Sequence, residues 1–366
     1  MNSYNLSVSV IYYSLVFSIL SSPLIVLTRQ YFGMETFSRL SFVVIFAVVL
    51  FHHFVSIVEI GANRRIHNGF IPPFMLLFYL LVITLVKDIA GFGIDYFYVF
   101  ALLFIFSFIA FGNLDVIYSA LLKFVDFINR KFRVIIIYYA FILGFYKLDP
   151  LYVYPYSSFD VEFLPFVLIL LLQARLYFWS FLVFAMIIAS LKFSYLVSIF
   201  VYFIVVFFFT GFFRAAFFWG LVILFVVYYG FYFNVEIILQ WIKITSTSLF
   251  ERFSEVIYAF NEHCFSDYIF GAGLSLNISG EYEGLSFENR KYMHNTFGFL
   301  YYSLGLASLI ILLKMLHFYF SNKAPVLLRK FVIFLLVISL FKLTFVSELF
   351  AMCLLTLALR YKFPKN

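Results

Sequence analysis

Few residues in this chain are able to do acid–base or phosphate chemistry, and they are unevenly placed. His294 and Asn295 stand at the end of a polar stretch, 235–293, immediately before an apolar run. At the first turn of a helix the N-terminal partial positive charge disfavours imidazolium. A neutral imidazole at a water-filled mouth is suited to take a proton from an attacking hydroxyl. The plainer reading is that His294-Asn295 simply caps the helix. Arg252 offers a guanidinium, the group that grips phosphate oxygens as a fork, but Glu255 one turn further on could hold it in a surface pair. Lys192 ends an apolar run, where a lysine can also do no more than snorkel. Arg290 and Lys291 lie just ahead of His294 and also read as solvated loop charges. His52, His53 and Glu59 fall inside an apolar run, where ionisable groups are functional candidates; a buried hydrogen-bonded pair is the simpler account.

These residues have to be positioned by a very apolar chain. Of its 366 residues, 65% are apolar, 24% aromatic and 12% charged, and the mean hydropathy is +1.05. A soluble domain carries about 25% charged residues, so large soluble enzymes, disordered chains, coiled coils and disulfide scaffolds are excluded. The apolar runs are continuous rather than alternating, which excludes a barrel. Cys264 and Cys353 have no metal-ligand spacing, and a disulfide between them is not expected. The net charge of +7 is scattered along the chain, so no nucleic-acid partner is read.

The expected fold class is an all-α integral membrane protein, a single polytopic domain over 1–366. About 20 apolar residues cross the hydrocarbon core. Runs at 9–28, 38–60, 73–90, 96–112, 133–147, 161–174, 176–191, 193–211, 215–234, 294–316, 326–341 and 344–361 give about twelve transmembrane helices. The least secure boundary is Gln173-Ala174-Arg175, the only break between two short runs. Lysines and arginines mark the cytoplasmic side. With both termini there, Arg64, Arg65, Lys123, Arg130, Lys131, Arg133, Arg175, Arg214, Lys314, Lys323, Arg329, Lys330, Arg360, Lys362 and Lys365 all lie inside.

Three segments interrupt the spans. In 113–133, Leu114, Ile117, Leu121, Phe124 and Ile128 recur at helical spacing opposite Asp115, Lys123, Asp126 and Arg130, as in a cytoplasmic interfacial helix. On the far side lie a first loop, 148–160, and the long loop, 235–293; loops of such length are usually functional. The long loop opens with an amphipathic helix, its apolar face Phe250, Phe253, Ile257, Phe260 and Cys264, with Glu251, Arg252, Glu255 and Glu262 on other faces. The turn Phe270-Gly271-Ala272-Gly273 follows, then a flexible polar stretch from Ser275 to Lys291.

His294-Asn295, nine residues, then Gly305 resembles the His-Asn-x9-Gly signature of O-antigen ligases and Wzy-type O-antigen polymerases. Phe270-Gly271-Ala272-Gly273 resembles the glycine turn those proteins carry in their large periplasmic loop, and Arg252 stands where members often place an arginine. Ala189-Ser190-Leu191-Lys192 resembles their periplasmic Ser-Arg pair with one extra residue and Lys in place of Arg; Ser308 departs from the residues often found there. The motif matches are confined to about 185–310.

The resemblance implies a GT-C-like membrane glycosyltransferase in the bacterial inner membrane with its active site facing the periplasm. It would join undecaprenyl-pyrophosphate-linked oligosaccharide repeats into lipopolysaccharide O-antigen, in partnership with a chain-length co-polymerase. In that reaction His294 is the expected base, with Arg252, Lys192 and Arg290 as cations for the departing pyrophosphate. Glu162 and Asn295 are expected to bind the acceptor. Asp160-Val161-Glu162 and Glu281-Tyr282-Glu283 have spacings seen at metal sites, but the related ligases need no metal, so no metal and no cofactor are expected. An O-antigen ligase remains an alternative. A lipid-linked oligosaccharide flippase remains another, although no repeat symmetry between halves is visible.

Overall fold

The computed structural model describes residues 3–32, 112–148, 163–190, 193–210, 265–273, 278–282, 285–290, 295–321, 324–340 and 349–360. It adds short pieces within 78–84, 106–109 and 255–259 and the single residues 47, 51 and 293. The expected spans at 38–60 and 215–234 and the loop 148–160 lie outside the described residues, as do His52, His53 and Glu59.

The described chain is mostly helical. Helix α1 is Ser3–Phe32 and α2 is Leu114–Leu148; α3 (Leu164–Gln173), α4 (Tyr177–Ala189) and α5 (Phe193–Thr210) follow. A short α6 (Phe265–Phe270) precedes strands β1 (Ile278–Tyr282) and β2 (Leu285–Arg290). Then come α7 (Thr296–Leu304), a 3-10 turn (Gly305–Ala307), α8 (Ser308–Phe320), α9 (Val326–Ile338) and α10 (Leu349–Arg360). Among the described residues, two stretches are long and apolar enough to cross a membrane, Tyr4–Ser21 and Thr296–Phe320.

Helices α1 and α2 run parallel, and hydroxyl groups tie them at both ends. Tyr4 Oη and Ser119 Oγ lie 2.8 Å apart. Some four turns on, Tyr138 and Tyr139 donate to the carbonyls of Leu20 and Ile19 at 2.5 and 2.7 Å. The second bond has a local cause. Pro23 sits inside α1 and has no N–H for the Ile19 carbonyl four residues back. Tyr139, fully buried, supplies the missing donor.

The amphipathic face read in 113–133 is present: Ile117, Leu121, Phe124 and Ile128 are buried, and Asp115, Lys123, Asp126 and Arg130 are exposed. Its expected separation from a span at 133–147 is not. Asn113 Oδ1 accepts from the amides of Asp115 and Val116, capping a helix that continues through 35 residues. No glycine or proline stands near 133 to stop it, and its buried face packs on protein. Phe124 lies against Phe163 and Phe350 with ring centroids 6.2 and 5.5 Å apart.

The weak boundary at Gln173-Ala174-Arg175 is a real turn. Ala174 caps α3, Arg175 takes φ 60°, and α4 starts two residues later. Helices α3 and α4 have 10 and 13 residues, about 15 and 20 Å at 1.5 Å per residue, so each is shorter than a full crossing. Phe166 anchors the interior of this half: its ring meets Phe331, Phe334 and Phe350 at 5.6, 5.1 and 4.8 Å. Edge-to-face pairs of this kind add about 0.5–1.5 kcal/mol beyond burial. Lys330 donates to Gln173 Oε1, and Arg360 closes α10 by donating to the carbonyls of Ile109 and Gly112 at 3.0 and 2.8 Å. Cys353 is a free, buried thiol.

Two expectations change here. The stretch from Ser275 to Lys291 contains an antiparallel hairpin, β1 on β2, with an irregular register between Ile278 and Gly280, so the chain is not purely helical. Tyr282 pairs with Leu285 across Glu283-Gly284, the X-Gly link that favours two-residue hairpins. The expected span 294–316 is interrupted as well, since α7 ends at Gly305 and α8 starts afresh at Ser308.

Candidate functional site

The two glycine motifs, more than thirty residues apart in sequence, are locked together backbone to backbone. Gly305 has φ 56° and ψ −139°, a combination open in practice only to glycine, and it breaks the helix there. The break withdraws helical donors from the preceding carbonyls. Ala272 N donates to Tyr302 O at 2.8 Å and Gly273 N to Ser303 O at 3.1 Å, so the loop turn fills the gap that Gly305 makes. The fit leaves no room for a side chain on either partner. A Cβ on Gly271 would lie 2.7 Å from Gly305 N, and one on Gly305 would lie 2.6 Å from Gly271 N.

Two further elements brace the turn. Tyr79 donates to Phe270 O at 2.6 Å, and the Thr84 backbone lies against Gly273, where a Cβ would sit 2.8 Å from Thr84 Cα. Short helix α6 ends in the turn, with Gly271 N on Asp267 O at 2.7 Å. Sequence reasoning gave no part to Tyr79, Thr84 or Asp267. Asp267 is 5% exposed, and its one outward signal was a carboxylate just before a glycine turn in a chain with few charges.

His294 lies outside the described residues, but its neighbours are placed. Met293 is fully buried. Asn295 is the N-cap of α7, its Oδ1 accepting from Gly298 N at 2.9 Å, so the capping role is present and occupies the oxygen expected to meet an acceptor. Thr296 N donates to Ser339 O at 2.9 Å. Ser339 ends α9, so an orphan donor of one helix meets an orphan acceptor of the other. The positive end of α7 is therefore partly offset by the negative end of α9.

Arg252 is outside the described residues, and the helical piece that follows it packs against the first turn of α7 at Gly298. Val256 Cγ2 is the nearest atom to a Cβ built on Gly298, at 2.9 Å, with Met293 Sδ at 3.5 Å. Glu255 is 0% exposed whereas Ile257 is 45% exposed. The amphipathic face expected here is thus turned, with Glu255 facing protein. A carboxylate close in sequence to Phe253, Val256 and Ile257 was the available signal.

The remaining candidates are spread out. Lys192 falls between α4 and α5, outside the described residues. Ser190 before it is buried and turns its hydroxyl back to Ile187 O at 2.6 Å. Arg290 closes β2, its Cα opposite Ile278. Glu162 lies outside the described residues, next to buried Phe163. The structure thus gathers these features on α7, with Asn295 and the 255–259 piece at its first turn and the Gly271 turn on Gly305 at its last; Lys192 and Glu162 lie outside the described residues. Among the described residues no three His, Cys, Asp or Glu side chains gather as a metal site would need.

Compared with protein-family models, curated proteins and solved structures, the chain matches none.

Proposed function

We propose that this chain is a bacterial inner-membrane O-antigen polymerase of the Wzy type. It would transfer a growing glycan from undecaprenyl pyrophosphate to the sugar hydroxyl of another lipid-linked repeat, at the periplasmic face. The observation that carries the reading is the lock between the Gly271 turn and Gly305. Two short motifs that each mean little alone meet at one place, on the helix whose first turn adjoins His294. The hydroxyl must lose its proton as the new glycosidic bond forms, a task for His294 as base, worth about 10²–10⁴-fold. The leaving pyrophosphate gathers negative charge, which falls to Arg252, with Lys192 and Arg290 as further cations.

The twelve-span topology with both termini inside draws support from several contacts. Gln173 with Lys330, Gly112 with Arg360 and Thr296 with Ser339 each join ends that the lysine and arginine pattern puts on the same side. The parallel run of α1 and α2 suits a first and a fifth span. One contact counts against two full crossings at 161–191. Phe163, expected on the far side, touches Phe124 in the segment expected inside.

The broken helix at Gly305 gives the flippase reading its one favourable feature, since transporters build midplane sites from interrupted helices. Here the gap is filled by another backbone segment of the same chain, which favours a fixed scaffold. The test is the lipopolysaccharide ladder of cells carrying His294→Ala or Arg252→Ala. Core bearing a single repeat, with the protein still in the membrane, is the polymerase outcome. Bare core with accumulated lipid-linked polymer means ligase, loss of all exported repeat means flippase, and an unchanged ladder refutes the assignment of these residues.

A further inference from the structure

Along α2 the exposed residues change character within one step. Lys123, Asp126, Asn129, Arg130, Lys131 and Arg133 are exposed up to position 133. Beyond it the exposed residues are Val134 (64%), Ile137 (62%), Phe141 (73%) and Phe145 (57%). Arg133 lies over the Trp179 ring, 5.8 Å from its centroid, and an aromatic beside a cation is the usual marker of a membrane–water boundary. The charged face of α2 thus adjoins a surface suited to lipid tails.

In that stretch α2, with Tyr12 of α1, forms an open groove of about 280 Å³ lined by Tyr12, Phe127, Lys123, Asp126, Arg130 and Lys131. Tyr12 and Phe127 meet edge-on at 6.3 Å and form its aromatic floor. Asp126 is already engaged, both of its oxygens accepting from Arg130 at 3.0 Å. Lys123 and Lys131 flank the floor, and among the described residues neither has an acidic partner. Two uncommitted ammonium groups around an aromatic floor, one step from a tail-facing surface, match a phosphodiester that carries acyl chains.

We infer that this groove binds the headgroup of an anionic phospholipid of the cytoplasmic leaflet. The phosphate sits between Lys123 and Lys131, the glycerol lies over Tyr12 and Phe127, and the chains run down past Val134, Ile137 and Phe141. A free anion would gain the lysines but nothing from the floor or the apolar flank. The inference rests on the membrane reading and not on the proposed sugar transfer.

Native mass spectrometry of the full chain in detergent, titrated with phosphatidylglycerol, phosphatidylcholine or inorganic phosphate, tests it. One phosphatidylglycerol should bind in preference to phosphatidylcholine, and inorganic phosphate should not displace it. A basic group near a membrane surface is worth about fivefold in affinity, so Lys123→Ala with Lys131→Ala should weaken binding about 25-fold, while Lys314→Ala on α8 changes nothing. Asp126→Asn, which releases Arg130, should tighten it. Wild-type affinity in the double variant, equal binding of phosphatidylcholine, or displacement by inorganic phosphate would each overturn the inference. No glycan transfer is read, so either outcome leaves the proposed reaction to its own test.

Discussion

Gly305→Ala is the substitution on which the lock stands or falls. The new Cβ would meet Gly271 N at 2.6 Å and the Ile269 carbonyl closer still, and both are backbone atoms with no rotamer to yield. Alanine is also strained at φ 56° and ψ −139°, at a cost of about 1–3 kcal/mol. If the segments part to relieve the clash, the bonds from Ala272 and Gly273 to Tyr302 and Ser303 are lost, at about 1 kcal/mol each. The sum is roughly 3–5 kcal/mol, at the top of the range for point changes. Thermal unfolding of the purified protein in detergent should show a midpoint lower by on the order of 5–10 °C. Gly144→Ala is the control: it lies inside α2 with nothing within 4 Å of a Cβ, and replacing a helical glycine gains up to about 1 kcal/mol. Gly271→Ala should behave like Gly305→Ala, and the pair together should cost less than their sum because they break one contact. A Gly305→Ala protein that melts with the wild type and supports a full ladder would refute the reasoning.

Two other outcomes follow from particular bonds. Tyr139→Phe leaves the Ile19 carbonyl buried without its donor and should destabilise by about 1–3 kcal/mol; adding Pro23→Ala, which restores a helical N–H, should recover part of the lost midpoint in the same melt. One alanine inserted after Phe297 turns the start of α7 by about 100° and shifts it about 1.5 Å relative to the lock. Long O-chains should then be lost with the protein still in the membrane, and an unaltered ladder would sink the idea that helix length sets the position of His294.

The sequence made some of this plain because the cause was local. The Gln173-Ala174-Arg175 turn is the only polar break in a long apolar run, and the face of Ile117, Leu121, Phe124 and Ile128 follows directly from helical spacing. Asn295 is a helix cap by residue type and place. What was not legible depended on partners distant in sequence. The burial of Glu255 and exposure of Ile257 invert the periodicity of their own segment, because α7 packs against that face with Gly298, which has no side chain to keep Val256 away. The break in the run from Thr296 to Phe320 is invisible to hydropathy, since it needs the Ala272 and Gly273 amides to satisfy the carbonyls it frees. The hairpin at 278–290 did leave a trace in Glu283-Gly284, overshadowed by the polarity around it. The continuity of α2 past 133 was hidden by a change of composition that marks a change of surroundings and not an end of helix.

The lock also gives a physical meaning to the spacing of the His-Asn-x9-Gly pattern. Asn295 is the N-cap of α7 and Gly305 its C-cap, with Thr296–Leu304 as the nine residues between. The interval is therefore the length of one helix, about 13.5 Å at 1.5 Å per residue, measured between a cap that adjoins His294 and a break that docks the loop turn. On this geometry Gly305 has no need to touch substrate. It fixes one end of a ruler whose other end adjoins the proposed base in sequence, and the Gly271 turn holds that end by two backbone hydrogen bonds. The Val256 contact at Gly298 then brings the 255–259 piece, three residues beyond Arg252, against the first turn of the same helix. The proposed base, one residue before the N-cap, and the proposed phosphate-gripping arginine on the loop would thus be referred to one element, which is what the proposed transfer between two lipid-anchored substrates would require.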